Sequence, residues 1–395
     1  MFEYLKAFQP ELSEQFAQQL RSSTFSQVNL FGGPRYSMRL SFALETARVL
    51  CCQKTAEDGC CCDSCRRFET LSTTDVVLIS QRDHRSMIET SLKTFERLYN
   101  DFSKQNLIRM IRRLLLQYHP ALLEGSQSQS TTNASLAAGL LNELLFDMSL
   151  QKEWNAKEAK KWCAELSKAL KTLYGALKKN TTITIGQVRS LEQWMNKTSV
   201  QNTKRIVILE AIEQTNASAR NSLLKMLEEP AEDTYFFLLS EQPSRIMSTI
   251  LSRVRRYTFA PLSKEALTRY LAPFYLKDVE YEDLETFYLS QGGLDLEKNR
   301  QMADSLCNAL LEKQYMQSSE LYTILEDVDA MHSYEFFLRQ VLKSLSDALQ
   351  MGRLSFKSAQ SYAMMINSAY SQSLQFNQNG KLLLEALYYR MMEEV

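Results

Sequence analysis

The sequence predicts an α/β protein, with a largely parallel sheet covered by helices on both faces, a helical insertion, and an all-helical C-terminal part. Three observations predict it. Short apolar, β-branched runs alternate with helical patterns over the first 80 residues and again from Thr181 to Phe259. Between these segments, from about Gln81 to Lys179, the pattern is almost wholly helical. From about Lys264 onward the signals are helical only. Strands that alternate with helices imply parallel pairing, because each crossover helix must pack back onto the sheet.

Gln27 to Phe31 reads as a short buried strand, followed by a turn at Gly32-Gly33-Pro34 and a helix from about Met38 to Leu50. Asp75 to Ile79 is a β-branched run typical of a buried strand. In the helical block, Leu92, Phe95, Leu98, Tyr99 and Phe102 keep helical spacing, as do Leu107, Met110, Ile111, Leu114 and Leu115. A polar linker runs from Gly125 to Ser130, and Trp162, Leu166, Leu170, Leu173 and Leu177 mark a later amphipathic helix. Strand signals return at Thr181–Ile185, Arg205–Leu209 and Tyr235–Leu239. The helix between the last two is capped by Thr215 or Asn216, carries Ala219, Leu223 and Leu227 as its stripe, and stops at Pro230.

Composition narrows the function classes. Of 395 residues, 45% are apolar and 23% charged, with seven prolines and eleven glycines, which suits a helix-rich globular chain. Basic and acidic residues balance at 46 each, so no global field draws the protein to DNA or membrane. Met1-Phe2-Glu3-Tyr4 does not open a signal peptide, and no apolar run approaches the ~20 residues that span a bilayer. The expected location is the cytoplasm, where disulfides are rare. The cluster Cys51, Cys52, Cys60, Cys61, Cys62 and Cys65 therefore reads as a metal site, whereas Cys163 and Cys307 read as buried core residues.

Three segments carry a family resemblance. Ala219-Arg220-Asn221-Ser222-Leu223-Leu224-Lys225-Met226-Leu227-Glu228-Glu229-Pro230 is similar to the helix after the Walker B strand of bacterial clamp-loader ATPases. Ile250-Leu251-Ser252-Arg253-Val254 resembles that family's Ser-Arg-Cys motif, with Val254 for cysteine. The cysteine cluster sits where gamma and delta-prime type subunits carry a zinc module. Together they resemble the AAA+ clamp-loader family of DNA polymerase III, of the gamma, tau and delta-prime type, over about Val28–Ile79 and Thr181–Phe259. The resemblance implies an AAA+ module over 1–260, with a zinc module at 51–65 and a helical insertion at about 81–180. A small helical lid over 261–301 and a helical collar over 302–395 would follow.

The resemblance also exposes a failure. A P-loop needs Gly-x-x-x-x-Gly-Lys-Ser/Thr, whose glycines wrap the phosphates, whose lysine reaches the β/γ oxygens, and whose hydroxyl holds Mg²⁺. Here the run is Gly33-Pro34-Arg35-Tyr36-Ser37-Met38-Arg39-Leu40. Met38 replaces the second glycine, Arg39 the lysine and Leu40 the hydroxyl residue. At the Walker B strand, Leu209 aligns with the metal-binding aspartate and Glu210 with the glutamate; Asp295 stands near the sensor-2 arginine position. No ATP is expected on this chain. Arg253 is read as an arginine finger acting in trans on a neighbour's ATP; the alternative is an ordinary surface arginine or an intramolecular salt bridge.

The family's zinc pattern is one cysteine, eight residues, then three cysteines each separated by two; this chain is a residue short. Cys62 and Cys65 fit the last pair and Cys52 the first position, with Cys60 chosen as the remaining ligand and Cys61 or Cys51 as spares. Arg109, Arg112 and Arg113, and the lysines Lys157, Lys160, Lys161, Lys168, Lys171 and Lys178, are two basic features able to meet DNA or a partner, or simply solvated faces. His84, His119 and His332 lie in no nucleophile or metal motif.

The implied function is that of a non-hydrolysing, delta-prime type clamp-loader subunit. Its partners would be gamma/tau and delta subunits in a hetero-pentamer, with the sliding clamp and primer–template DNA reached through the assembly. The alternatives are an ATP-hydrolysing gamma-type subunit and a zinc-dependent nucleic-acid-binding protein without ring partners.

Overall fold

The computed structural model describes residues 1–80, 84–123, 129–176, 182–196, 204–274, 280–330, 333–376 and 379–394. The linker residues 125–128, Leu177, Lys178, Lys179, Thr181 and His332 lie outside them. The described chain divides into two compact units, Met1–Glu285 and Thr286–Val395.

The first unit is built on five parallel strands, β1 (Val28–Gly32), β2 (Val76–Ile79), β3 (Arg205–Glu210), β4 (Thr234–Ser240) and β5 (Arg255–Thr258), in the order β2-β3-β4-β1-β5. Successive residues of a strand point to opposite faces, and both faces here are apolar. Phe31, Ile206, Ile208, Phe237 and Leu239 join one core, with Phe16, Phe42 and Ala43 from the covering helices. Leu30, Val207, Leu209, Phe236 and Leu238 join the other, with Val188, Leu191, Leu223 and Leu227. Phe16 is the hub of the first core: its ring meets Phe2, Phe25, Phe31, Phe42 and Tyr257 at centroid distances of 4.6–5.9 Å.

Two elements differ from the sequence-based expectation. The strand expected at Thr181–Ile185 is absent among the described residues: Ile183 makes one isolated bridge to Thr215, and Ile185 opens a helix, Ile185–Asn196. The reason is local. Gln187 Oε1 accepts from the Thr184 backbone N–H at 3.0 Å, and Thr184 Oγ1 accepts from the Gln187 N–H at 3.4 Å, a capping box that starts a helix. Conversely, β5 is an edge strand with no apolar run of its own. Arg255 and Arg256 are exposed and only Tyr257 is buried, the charged edge that discourages pairing with another chain.

The insertion, itself part of the first unit, is helical and packs beside the sheet. Its described helices are Arg85–Leu98, Asp101–Leu115, Pro120–Leu123, Gln129–Leu150 and Ala156–Ala176, with a 3-10 turn at Leu116–Tyr118. His119 Nε2 lies 3.1 Å from the Thr74 carbonyl, while its Nδ1 accepts from the Ala121 N–H at 3.1 Å, so the proton belongs on Nε2. That tie, with Leu116 in the sheet's core, fastens the insertion beside edge strand β2. Further along, Arg97 donates to the Phe274 carbonyl at 2.7 Å and the Phe102 ring meets Phe274 edge-on at 5.7 Å.

The second unit is a helical assembly. Leu296–Glu312, Ser318–Ala330, Tyr334–Gln350, Phe356–Phe376 and Gly380–Glu393 enclose Leu306, Leu310, Ile324, Phe337, Val341, Tyr362 and Tyr388. Asp295, at the position aligned near sensor 2, caps the first of these helices by accepting from the Lys298 N–H at 3.0 Å.

Candidate functional site

The loop after β1 turns away from the sheet and leads into a helix. Gly33 N–H donates to the Ser240 carbonyl at 3.1 Å, the backbone turns, and a helix begins at Arg39 (Arg39–Cys51). Met38 caps that helix at φ 70° and Tyr36 sits at φ 62°, both left-handed. Such a conformation costs a non-glycine residue roughly 1–2 kcal/mol, so the loop keeps a glycine-like backbone without the glycine. Leu40 is buried in the core, as is Leu209 at the end of β3. Glu210 is buried and accepts from Ser80 Oγ at the adjoining end of β2.

Gly33 has a packing reason of its own. A Cβ there would lie 2.4 Å from the Phe259 carbonyl oxygen and 2.9 Å from its Cβ. Backbone cannot yield as a side-chain tip can. Gly33→Ala is therefore expected to destabilise the chain by about 1–3 kcal/mol, read by urea denaturation; unchanged stability would refute the close approach.

The cysteines converge. The sulfurs of Cys52, Cys60, Cys62 and Cys65 all lie within 4.8 Å of one another. Cys52 is 3.6 Å from Cys60 and 3.8 Å from Cys62. Four sulfurs at the zinc–thiolate distance on a tetrahedron stand about 3.8 Å apart, so these separations suit one small soft cation. Of the spares, Cys61 is exposed and Cys51 is buried against the Lys204 carbonyl, both outside the group. Cys60 is reached through a turn in which its N–H donates to the Glu57 carbonyl, with Gly59 at φ 80°.

Surrounding groups hold the sulfurs. Cys62 caps the short helix Asp63–Glu69 and accepts from the Cys65 N–H at 3.5 Å, which pulls its thiol down to about 6. The Cys62 backbone N–H likewise lowers Cys60, while burial raises Cys52 and Cys65. Cys52 accepts from the Ala56 N–H at 3.2 Å and the Lys54 N–H at 3.4 Å. Arg48 reaches Cys65 Sγ at 3.3 Å while clamped by Glu45 through two hydrogen bonds at 2.7 and 2.9 Å. Such outer partners orient ligands and neutralise a thiolate cluster. Sequence reading missed Arg48; its i,i+3 spacing from Glu45, on the helix leading into the cysteines, was the available signal.

Arg253 lies in the turn between the short helix Ser248–Leu251 and β5. Within the chain it forms a salt bridge with Glu228, at the end of helix Ala217–Glu228, and donates to the Thr249 carbonyl and to Ser252 Oγ at 3.3 Å. Its side chain remains 32% exposed and that of Glu228 45%. Asn216 caps that helix, accepting from the Ala219 N–H at 2.8 Å. The basic trio of the insertion is not one surface patch. Arg109 is exposed, but Arg112 is buried and Arg113 reaches Ser41 Oγ at 3.4 Å, because the helix packs that side inward. Lys157, Lys160, Lys161, Lys168 and Lys171 are exposed.

A five-stranded parallel sheet whose first strand runs through a turn into a helix, a four-cysteine group and a C-terminal helical unit define an α/β chain of P-loop-type architecture. The profile of the family described as "DNA polymerase III, delta subunit" matches residues 8–122 and 112–263, well over half of the chain, and the chain belongs to that family. Curated relatives agree. DNA polymerase III subunit delta' of Bacillus subtilis (strain 168) is 41% identical over 81 residues, 20% of this chain and 25% of that protein. That of Pseudomonas aeruginosa is 37% identical over 118 residues, 30% and 36% respectively. That of Escherichia coli K12 is 32% identical over 96 residues, 24% and 28%. The chain thus matches little more than a third of these relatives' length at most.

Proposed function

We propose that this chain is a non-hydrolysing, delta-prime type subunit of a bacterial replicative clamp loader. In this reading 1–260 is an AAA+ module, 261–301 a lid and 302–395 a collar that joins gamma/tau and delta subunits in a cytoplasmic hetero-pentamer. The assembly, driven by ATP on neighbouring subunits, loads the sliding clamp onto primed DNA. Arg253 would serve a neighbour's ATP in trans. Its bond to Glu228 is exposed, and such pairs contribute only about 0–1 kcal/mol, so it can be exchanged for a phosphate at little cost. Zinc would be held by Cys52, Cys60, Cys62 and Cys65, where it supplies structure by tying the loop from Cys52 to the helix at Cys65.

The observation that carries the reading is the loop from Gly33 to Leu40. Its helix starts on a left-handed Met38, its lysine position is a buried arginine, and its hydroxyl position is a buried leucine. Nothing at these positions can hold Mg²⁺ on a triphosphate. Isothermal titration of the isolated chain with Mg-ATP is expected to give no binding at micromolar concentrations and no turnover. Micromolar affinity with hydrolysis would favour a gamma-type ATPase instead. Co-assembly with gamma/tau and delta subunits, read by size-exclusion chromatography, tests the partner half of the reading.

A further inference from the structure

The altered loop has acquired a carboxylate. Glu241 directly follows β4, and β4 lies beside β1, so the two strand ends bring Glu241 to the loop. Its Oε1 accepts from Arg35 Nε at 3.2 Å and lies 3.5 Å from Arg39 Nη2. Arg39 is 4% exposed and is the first residue of a 13-residue helix, whose end favours an anion. A buried guanidinium is costly without a counter-charge, and here the chain supplies one. Arg35 also lies 3.5 Å from Glu285 Oε1. The Glu241 backbone N–H donates to Glu213 Oε1 at 3.3 Å, which holds the residue in place.

We propose that Glu241 is a built-in anion for this cradle. Its carboxylate bridges the Arg35 and Arg39 guanidiniums, with Glu285 as a second acid on Arg35, and so opposes the binding of phosphate at the loop. The idea rests on the reading of the loop as a lost nucleotide site and adds what occupies it. Removing the negative charge turns the loop into a site for inorganic phosphates.

The test is isothermal titration of the full-length chain with sodium pyrophosphate, without Mg²⁺ and at low ionic strength. Three proteins are compared: wild type, Glu241→Gln, and Glu241→Gln combined with Arg35→Ala. Glu241→Gln should bind at least about tenfold more tightly than wild type, the scale of a hydrogen bond to a charged group, and Arg35→Ala should remove most of the gain. Equal affinity of wild type and Glu241→Gln, or a gain that survives Arg35→Ala, overturns the proposal. Should Glu241→Gln be too unstable to titrate, the same question is read by thermal melting of Glu241→Ala. Pyrophosphate should raise its melting temperature and leave that of the wild type unchanged, and equal shifts overturn the idea. Tight Mg-ATP binding by the wild type would instead defeat the functional reading above. Absence of the pyrophosphate gain defeats only this proposal.

Discussion

The chain is expected to bind one zinc ion, and replacing Cys62 and Cys65 together by serine should abolish that binding, as measured by elemental analysis of protein purified without chelator. Two ligands then remain, too few to hold the ion against buffer. In small zinc modules the metal supplies about 10–16 kcal/mol of folding free energy. Here the module is joined to a large core through Cys51 and Phe68, so the loss should be local. Amide exchange should accelerate across residues 52–65 while the sheet stays protected. A companion change, Cys61→Ser, should leave zinc unchanged because Cys61 stands outside the four-sulfur group. Retention of zinc by the double variant would show that the ligand set is wrong.

The second large effect belongs to Arg253. In a reconstituted ring, Arg253→Ala should slow DNA- and clamp-stimulated ATP hydrolysis at the neighbouring site, by up to about 10³–10⁵-fold if the finger matches those of other nucleotide hydrolases. The isolated chain should lose less than about 1 kcal/mol, since the pair with Glu228 is exposed. Lysine should rescue poorly, because a point charge does not reproduce the planar donor fork. Glu228→Gln offers a control that removes the internal partner, and ring activity should persist. Wild-type rates in an assembled Arg253→Ala ring would leave Arg253 with only its bonds within the chain, to Glu228, Thr249 and Ser252.

The features legible in the sequence were those written in neighbouring residues. Buried strands announced themselves as apolar runs such as Val76–Ile79, and Thr215 or Asn216 with Pro230 marked the ends of a helix, of which Asn216 is the cap. The cysteines were legible because their ligand chemistry is local. Thr184-Ile185-Gly186-Gln187 misled because threonine and isoleucine favour strands, yet the threonine and glutamine cap each other as a helix start. β5 was invisible because an edge strand needs only one inward residue, Tyr257. Glu241 beside Arg39 and Glu228 beside Arg253 were beyond reach, because both pairings depend on which strand or helix ends the fold brings together.

The insertion's ties to the rest of the unit also bear on the order of folding. β2 and β3 are neighbours in the sheet, yet residues 80–204 separate them in the chain. Loop-closure entropy grows slowly, by about 0.6 kcal/mol for each doubling of length, but non-local pairing slows folding. The helices Arg85–Leu98 and Asp101–Leu115 meet through local contacts, and Asn100 and Ser103 cap the second of them reciprocally. Once they form and His119 returns to Thr74, the chain has already travelled back to the edge of β2. What remains to be closed is the shorter stretch from His119 to Arg205. Helix formation within the insertion should therefore precede the pairing of β3 with β2, so that a segment which lengthens the connection also guides its closure.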